Sequence, residues 1–259
     1  MTVHFIGAGP GAADLLTLRA VAMLQRSPVC LYAGTYLDAE VLGHCPPGAQ
    51  LVDTQRMTLD EIIEAIVAAD RAGHDVARLC SGDPSVYSAV AEQARRLDAA
   101  GVAWDVTPGV PAYAATAALV GRELTVPEVA QSVVLTRAQK DSTKMPPGEQ
   151  LSAFAATGAT LVLHLAIRHT RRLADELAEH YGADCPVVVG SLVSQPDELI
   201  LRGTLADIAD QVEAAGLRQA AGHGADLVRG LRQRRVAVHA VAQRYIPAGR
   251  EERCLRFGC

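Results

Sequence analysis

The chain has 259 residues, of which 49% are hydrophobic and 20% are charged, so it can bury a sizeable core as one large domain or two of ordinary size. Its formal net charge of −5 and its aromatic content of only 4% argue against binding to a phosphate backbone and against base-stacking platforms, so no nucleic-acid partner is expected. No apolar run reaches the roughly 18 residues that cross a membrane, so no membrane partner is expected, and the first residues lack the pattern of a signal peptide.

The cysteines and histidines show no metal-binding pattern. No CxxC pair occurs among the six cysteines, and no HExxH occurs among the eight histidines. We therefore expect no metal site. Cys30 and Cys80 fall in apolar segments, where free thiols are common, and this favours a reducing, cytoplasmic location.

Predicted strands alternate with predicted helices along the chain. The strands are Val3–Ile6, Val29–Tyr32, Val76–Leu79, Trp104–Val106, Ser132–Thr136, Thr160–Leu165, Pro186–Val189 and Glu198–Arg202. The helices are Asp14–Arg26, Leu59–Ala72 (with a capping box of Thr58 and Glu61), Ser85–Ala100, Ala112–Val120, Glu149–Ala156, Thr170–Tyr181 and Leu205–Ala215. This alternation predicts mainly parallel sheets covered by helices, which we interpret as two α/β domains, residues 1–121 and 122–259.

A glycine-rich corner, Gly7-Ala8-Gly9-Pro10-Gly11, follows the first strand. The carboxyl ends of strands in open α/β sheets are where ligands bind, and glycines allow close approach of the backbone. The sequence argues against a dinucleotide fingerprint, because Ala12 stands where the third glycine is needed and no acidic residue closes the second strand. A turn that only reverses the chain is the alternative, although three glycines beside a proline exceed what a turn needs.

Two further corners follow later strands of the same half. Ser81-Gly82-Asp83-Pro84 comes after the third predicted strand, and Thr107-Pro108-Gly109-Val110-Pro111 comes after the fourth. A helix cap would explain one residue of the second corner, but it would not explain the whole segment. Because three strand ends of one domain can face one crevice, the corners together predict a ligand site.

These three corners resemble those of the tetrapyrrole (corrin/porphyrin) methyltransferases. The resemblance covers about residues 1–221 and implies that S-adenosylmethionine binds in a cleft between two α/β domains. The segment Gly121-Arg122-Glu123-Leu124-Thr125-Val126-Pro127-Glu128 favours the members that methylate precorrin-4 at C11 to give precorrin-5 in cobalamin biosynthesis. Other corrin or porphyrin carbons, cobalt-precorrin-4 and a modified protein histidine are alternative acceptors, and a non-catalytic nucleotide-binding module is an alternative of another class.

The resemblance also implies which residues contact the cofactor. They are Pro10, Ser81, Gly82, Asp83, Val86, Pro111, Ala112, Leu165 and Val193. Pro111 departs from the family pattern, since this position often holds a small polar residue. No residue is assigned as a general base.

The acceptor implied by the resemblance carries many carboxylates, which arginines bind well. Arg122 and Arg137 are candidates to bind them, and solvated surface arginines are the alternative interpretation. The resemblance further implies a homodimer.

The tail from residue 222 departs from the family pattern. It holds eight arginines and three acidic residues, where relatives usually have a closing apolar strand. It can be a solvated helix, an anion-binding patch or a disordered end, and a changed reading frame near residue 221 would also produce it. Val236–Val241 is a candidate late strand.

Overall fold

The computed structural model describes residues 1–33, 39–138, 145–217 and 238–242. These residues form two compact units. The first unit contains residues 1–116 and 192–198, and the second contains the described residues of 117–191, 199–217 and 238–242. Apart from 238–242, the arginine-rich tail lies outside the described residues, as do residues 34–38 and 139–144.

The first unit is built on a five-stranded sheet. Its strands are β1 (Thr2–Gly7), β2 (Val29–Tyr32), β3 (Gln50–Asp53), β4 (Val76–Cys80) and β5 (Ala103–Thr107). They lie in the order β3-β2-β4-β1-β5, and every neighbouring pair is parallel, as predicted. Since Gly7 pairs with Cys80 and Ile6 with Thr107, the carboxyl ends of β4, β1 and β5 lie side by side.

Helices cover both faces of this sheet. They are α1 (Leu18–Arg26), α2 (Ala39–Leu42), α3 (Leu59–Arg71) and α4 (Val90–Ala99). A fifth helix, α5 (Ala112–Leu119), follows β5, and the division between the units falls within it. Buried residues of α3 pack against Phe5 and Leu31, and those of α1 pack against Ile6 and Cys30 on the opposite face. The predicted capping box at α3 is confirmed, because the Thr58 hydroxyl and the Glu61 carboxylate each accept the other residue's backbone N–H.

Four helix starts were predicted too early, at Asp14, Ser85, Glu149 and Leu205, and the short elements α2 and β3 were missed. The first helix begins at Leu18 because the Thr17 hydroxyl caps it by accepting a hydrogen bond from Ala20 N at 3.1 Å. The helix predicted over Ser85–Ala100 is α4, and it begins only at Val90 because the residues after Pro84 form an irregular turn. The missed elements, α2 and β3, are each four residues long. The sequence of β3, Gln50-Leu51-Val52-Asp53, has no long apolar run that would have indicated a strand, and three of its four residues are exposed.

The second unit contains a five-stranded mixed sheet. Its strands are β6 (Val133–Arg137), β7 (Thr160–His164), β8 (Pro186–Ser191), β9 (Leu199–Thr204) and β10 (Val238–Ala242). The order is β6-β7-β10-β8-β9, in which β6 and β7 are parallel and the other neighbouring pairs are antiparallel. The expectation of mainly parallel sheets therefore holds for the first sheet and not for the second, where the candidate late strand is inserted antiparallel to both neighbours.

Three further helices belong to the second unit. They are α6 (Leu151–Ala155), α7 (Thr170–Tyr181) and α8 (Ile208–Ala214). Leu173 and Leu177 of α7 pack with Ile208 of α8 over Leu161 and Val187 of the sheet. Within the described parts of the chain, no helix has the length and apolar character needed to cross a membrane.

Candidate functional site

The three predicted corners meet at the carboxyl edge of the first sheet. Gly7, Gly82 and Gly109 lie backbone against backbone: a Cβ atom added to Gly109 would stand 2.7 Å from Gly7 Cα, and one added to Gly7 would stand 2.9 Å from Gly82 O. No side chain fits between the segments at these positions. The glycines are therefore required by the close approach of three strand ends, as well as by turn geometry.

The first and second corners are joined by main-chain hydrogen bonds. Ala8 N donates to Cys80 O at 2.8 Å, Gly82 N donates to Gly9 O at 2.8 Å, and Gly9 N donates to Gly82 O at 3.2 Å. Gly82 has a φ of +68°, a left-handed conformation that favours glycine. The loop after β1 is thus fixed to the loop after β4 independently of side chains.

Asp83 joins the second corner to the third. One carboxylate oxygen accepts Gly109 N at 2.8 Å, and the other accepts Ser85 N at 2.8 Å together with the Ser85 hydroxyl. Partial burial opposes ionisation, but these hydrogen bonds outweigh it and hold the pKa of Asp83 below its ordinary value. Asp83 is therefore an ionised residue that fixes the corners, whereas the resemblance implied only that it contacts the cofactor.

The turn after Asp83 contains backbone in unfavourable regions. Tyr87 and Ala89 have φ values of +53° and +55°, which cost non-glycine residues free energy. Val86 N donates to Asp83 O at 3.2 Å, and the Ser88 hydroxyl donates to Pro84 O. The Tyr87 side chain is 48% exposed. This turn delays the start of α4 and leaves Val86 half-buried beside the corner.

The third corner leads into α5. Pro111 O accepts Ala114 N at 3.0 Å, and Ala112 is the first residue of the helix. A Cβ atom on Gly82 would lie 3.5 Å from Pro111 Cα and 3.8 Å from Ala112 N. Pro111 and Ala112 therefore lie next to the second corner, as their assignment to one site requires.

A segment distant in sequence completes this part of the first unit. In residues 192–198, the Ser194 hydroxyl accepts Ala12 N at 3.0 Å and Gln195 Nε2 donates to Pro10 O at 3.4 Å. A Cβ atom on Gly11 would stand 2.8 Å from Gln195 Nε2. Val193 is buried between Leu192 and Ser194, whose φ values are +49° and +66°. Val193 was among the predicted residues, but both polar contacts from this segment to the first corner were missed.

A half-buried arginine beneath the corners was also missed. Arg78 of β4 donates from Nε to Gln93 Oε1 at 3.1 Å and from a terminal nitrogen to Thr54 Oγ1 at 3.3 Å. Burial lowers the pKa of this guanidinium, although Arg78 remains charged near neutral pH. An arginine within the otherwise apolar run Val76-Ala77-Arg78-Leu79-Cys80 was the available signal.

The residues predicted to contact the cofactor are distributed over both units. Those in the first unit lie on the three corners, directly after them, or on the 192–198 segment: Pro10, Ser81, Gly82, Asp83, Val86, Pro111, Ala112 and Val193. Leu165 belongs to the second unit, where it follows β7 with a φ of +55°. Pro10, Gly82 and Val193 are buried, and the other named residues keep solvent-exposed surface.

His164, which precedes Leu165, is a buried titratable group. It ends β7 and is only 6% exposed. Removal from water lowers the pKa of His164 from 6.5 to about 4. The side chain is therefore neutral at physiological pH, and its protonation opposes folding.

The free energy of unfolding is expected to fall as the pH drops from 6.5 to 4. The unfolded chain binds a proton near pH 6.5 and the folded chain only near pH 4, so stability decreases through this window by about 3 kcal/mol. Urea unfolding at several pH values measures the slope. A His164→Gln variant should reduce the dependence of the free energy of unfolding on pH. The control His74→Gln, at an exposed histidine, should leave that dependence unchanged. Equal slopes for His164→Gln and the wild type would refute this origin.

The two candidate arginines for acceptor carboxylates lie in the second unit. Arg122 is exposed in the segment Gly121–Glu128, and Arg137 is the half-buried last residue of β6, beside His164 in register. The Thr160 hydroxyl donates to Leu124 O at 2.8 Å. The segment that suggested a particular acceptor is thus anchored to β7.

Comparison with known proteins identifies the family. A model of the tetrapyrrole (corrin/porphyrin) methylases matches residues 2–209. The chain belongs to this family. The α/β tetrapyrrole methylase fold that the resemblance implied is thereby confirmed.

Individual tetrapyrrole methylases are similar over most of the chain. A precorrin-4 C(11)-methyltransferase of Rhodococcus erythropolis is 59% identical over 221 residues, which are 85% of this chain and 89% of the relative. A solved cobalt precorrin-4 methyltransferase, a cobalamin biosynthetic enzyme, has a TM-score of 0.82 at 32% identity, covering 93% of this chain and 94% of that one. A uroporphyrin-III C-methyl transferase from Thermus thermophilus, complexed with S-adenyl homocysteine, has a TM-score of 0.70 at 26% identity, covering 93% and 92%.

Proposed function

We propose that this chain is a methyltransferase that methylates precorrin-4 at C11, giving precorrin-5 in cobalamin biosynthesis, with S-adenosylmethionine as the methyl donor. The observation that carries the proposal is the convergence of three backbone corners, fixed by Asp83, in a chain 59% identical to a precorrin-4 C(11)-methyltransferase.

The corners fit a donor of this kind. Glycines at their closest contacts leave no side chain between the strand ends, so main-chain groups can approach a ligand. Val86 and Ala112 offer small apolar surfaces, and Ser81 is exposed beside them. The residues proposed to hold the donor are Pro10, Ser81, Gly82, Asp83, Val86, Pro111, Ala112, Val193 and Leu165.

When bound, S-adenosylmethionine would supply a methyl group on a positively charged sulfur: a nucleophilic carbon of the acceptor bonds to the methyl carbon, the methyl–sulfur bond breaks, and S-adenosylhomocysteine leaves as a neutral thioether. Because this methyl group is already activated, the chain needs no covalent nucleophile, and positioning is its main contribution. Asp83 supports that positioning by fixing Gly109 and Ser85. Arg122 and Arg137 are proposed to bind carboxylates of the acceptor.

The 192–198 segment is proposed to stabilise the first corner for donor binding. Ser194→Ala removes the hydroxyl that accepts Ala12 N, at a cost of about 1 kcal/mol, so binding of S-adenosylhomocysteine should weaken about five-fold. Isothermal titration calorimetry measures the change. Ser132→Ala, at an exposed serine, is the matched control and should bind as the wild type does. Identical affinities for Ser194→Ala and Ser132→Ala would contradict this role.

Cobalt-precorrin-4 is the second candidate acceptor. It is favoured by the structural similarity to a cobalt precorrin-4 methyltransferase, but that identity is 32%, against 59% for the relative named without cobalt. We therefore place the metal-free acceptor first.

The assembly and location of the protein are also part of the proposal. We infer a homodimer from the resemblance of the sequence to this family. We infer a cytoplasmic location from the scattered cysteines, which show no disulfide-framework spacing. Light scattering of the purified chain tests the dimer.

Methyl transfer with a labelled donor tests the function. The purified chain should transfer the methyl label from S-adenosylmethionine to precorrin-4, and NMR should place that label at C11. Cobalt-precorrin-4 in a parallel reaction should be methylated more slowly. Labelling of another ring carbon would overturn the assignment of C11, and donor binding without transfer to any tetrapyrrole would favour a binding module.

A further inference from the structure

The turn that joins Asp83 to α4, residues 84–89, has a conformation that needs support. Tyr87 and Ala89 are left-handed, with φ values of +53° and +55°. Ala89 precedes the first residue of the helix, and its methyl side chain offers no capping group. Such backbone persists only where neighbouring groups hold it. The contacts made to this turn therefore bear on the shape of the corner beside it.

The side chain of Gln93, one turn into α4, holds the end of this turn. It is buried, and its Nε2 donates to Ala89 O at 3.3 Å and to Ser88 O at 3.5 Å. Its Oε1 accepts a hydrogen bond from Arg78 Nε at 3.1 Å. A guanidinium can only donate and a carbonyl oxygen can only accept, so one orientation of the amide satisfies both sides. Gln93 thus connects the sheet to the turn.

Arg78 fixes the Gln93 amide from the sheet side. While its Nε donates to Gln93, a terminal nitrogen donates to Thr54 Oγ1 at 3.3 Å. Thr54 is buried just after β3, and its hydroxyl donates to Tyr32 O at 3.1 Å. The guanidinium is therefore held by two neighbours, and its planar fork gives Gln93 a rigid partner.

Packing alone would favour an apolar residue at position 78. The rest of β4 is apolar, and burial lowers the pKa of the Arg78 guanidinium. Removing a charge from water costs free energy that an apolar side chain avoids. The hydrogen bonds of Arg78 are therefore the reason for an arginine in this strand.

We propose that Arg78 and Gln93 are positioning residues for the methyl donor, which hold the turn of residues 84–89 in the conformation that keeps Val86 beside the corner. The proposal rests on the proposed function, in which Val86 is a donor contact. Asp83 fixes the start of the turn by accepting Ser85 N at 2.8 Å, and Gln93 fixes its end. Both positioning residues act through the turn and have no assigned contact with the donor.

Two replacements of Gln93 separate holding the turn from filling the core. Gln93→Met has a similar length and makes neither hydrogen bond, whereas Gln93→Glu keeps an acceptor for Arg78 and loses the donor to Ser88 O and Ala89 O. Gln93→Met should weaken binding of S-adenosylhomocysteine about five-fold. Gln93→Glu should weaken it at least as much, because a carboxylate oxygen then faces two carbonyl oxygens. Isothermal titration calorimetry measures both.

Arg78→Met changes the same pair from the sheet side, so it tests the proposal even where a Gln93 variant fails to fold. It frees the Gln93 amide to rotate, and affinity for S-adenosylhomocysteine should fall about two- to five-fold. Arg95→Met is the matched control. Arg95 lies on the exposed side of α4, where it pairs with Glu92, and its loss should leave the affinity unchanged.

Hydrogen exchange of the ligand-free proteins shows whether the turn itself has changed. Peptides that cover residues 84–93 should exchange faster in both Gln93 variants than in the wild type or in Arg95→Met. A purely structural role would lower the free energy of unfolding and leave the affinity of the folded protein as it was.

The outcomes distinguish this proposal from the proposed function. If the wild type binds S-adenosylhomocysteine and the Gln93 and Arg78 variants bind it equally well, the positioning role is overturned and the donor site stands. Wild-type affinity in Gln93→Glu alone would also overturn it, since the amide donor would then have no part in binding. If the wild type binds no S-adenosylhomocysteine, the proposed function fails, and the positioning role fails with it.

Discussion

Replacing Gly109 with alanine is expected to weaken binding of S-adenosylhomocysteine at least about ten-fold and to lower the free energy of unfolding by about 1–3 kcal/mol. The new Cβ atom would lie 2.7 Å from Gly7 Cα and against Gly82 O, so all three corners would have to separate. Since these contacts are made by backbone atoms, no side chain can rotate to relieve them. Calorimetric titration and urea unfolding measure the two effects.

Gly101→Ala is the matched control for Gly109→Ala. Gly101 precedes β5 with a φ of +70° and has open space around its Cα, so alanine there costs conformational strain without a steric clash. We expect Gly101→Ala to lower stability by about 1 kcal/mol and to leave the affinity for S-adenosylhomocysteine unchanged. Wild-type affinity in Gly109→Ala would show that the packing of the corners does not shape the donor site.

Replacing Asp83 with alanine is expected to weaken the same ligand about ten- to a hundred-fold while the protein stays folded. The substitution leaves Gly109 N and Ser85 N without their acceptor, and an unsatisfied, partly buried donor costs about 1–3 kcal/mol. Asp83→Asn keeps one acceptor oxygen but places an NH₂ group against the other donor, so its effect should be intermediate. Isothermal titration calorimetry of S-adenosylhomocysteine ranks the three proteins.

Asp75→Ala separates the role of the corner from a general loss of hydrogen bonding. Asp75 also accepts a backbone N–H, that of Thr2 at 2.8 Å, but it does so at the opposite end of the sheet. Its loss should lower stability and leave affinity for S-adenosylhomocysteine intact. If Asp75→Ala and Asp83→Ala weakened binding equally, the Asp83 bonds would have no specific role in donor binding.

The first sheet and its corners could be predicted because their signals are local. Glycine and proline mark Gly7–Gly11 and Gly82–Pro84, and apolar runs mark β1 and β4. The start of α4 was predicted five residues early because the Asp83 side chain and the left-handed Tyr87 override helix propensity. Such competition between a side chain and the helix is not visible in residue types alone.

The contacts that sequence analysis missed involve long separations. Ser194 and Ala12 are 182 positions apart, and no local pattern pairs them. The antiparallel pairing of the second sheet was missed for a related reason, because the alternation of elements does not specify where a late strand is inserted. The nine donor-contact residues, including Leu165, remain predictions.

The position of β10 has a consequence for biosynthesis of the protein. Strand β10 lies between β7 and β8, so the second sheet consists of two separate strand pairs until the ribosome has made residue 242. Before then, β7 and β8 each present an unpaired edge, a surface on which nascent chains can associate with one another. The first sheet, complete at Thr107, has no such dependence on late synthesis. Chains that stop shortly after residue 217 should therefore fold a first sheet, yet aggregate through the second.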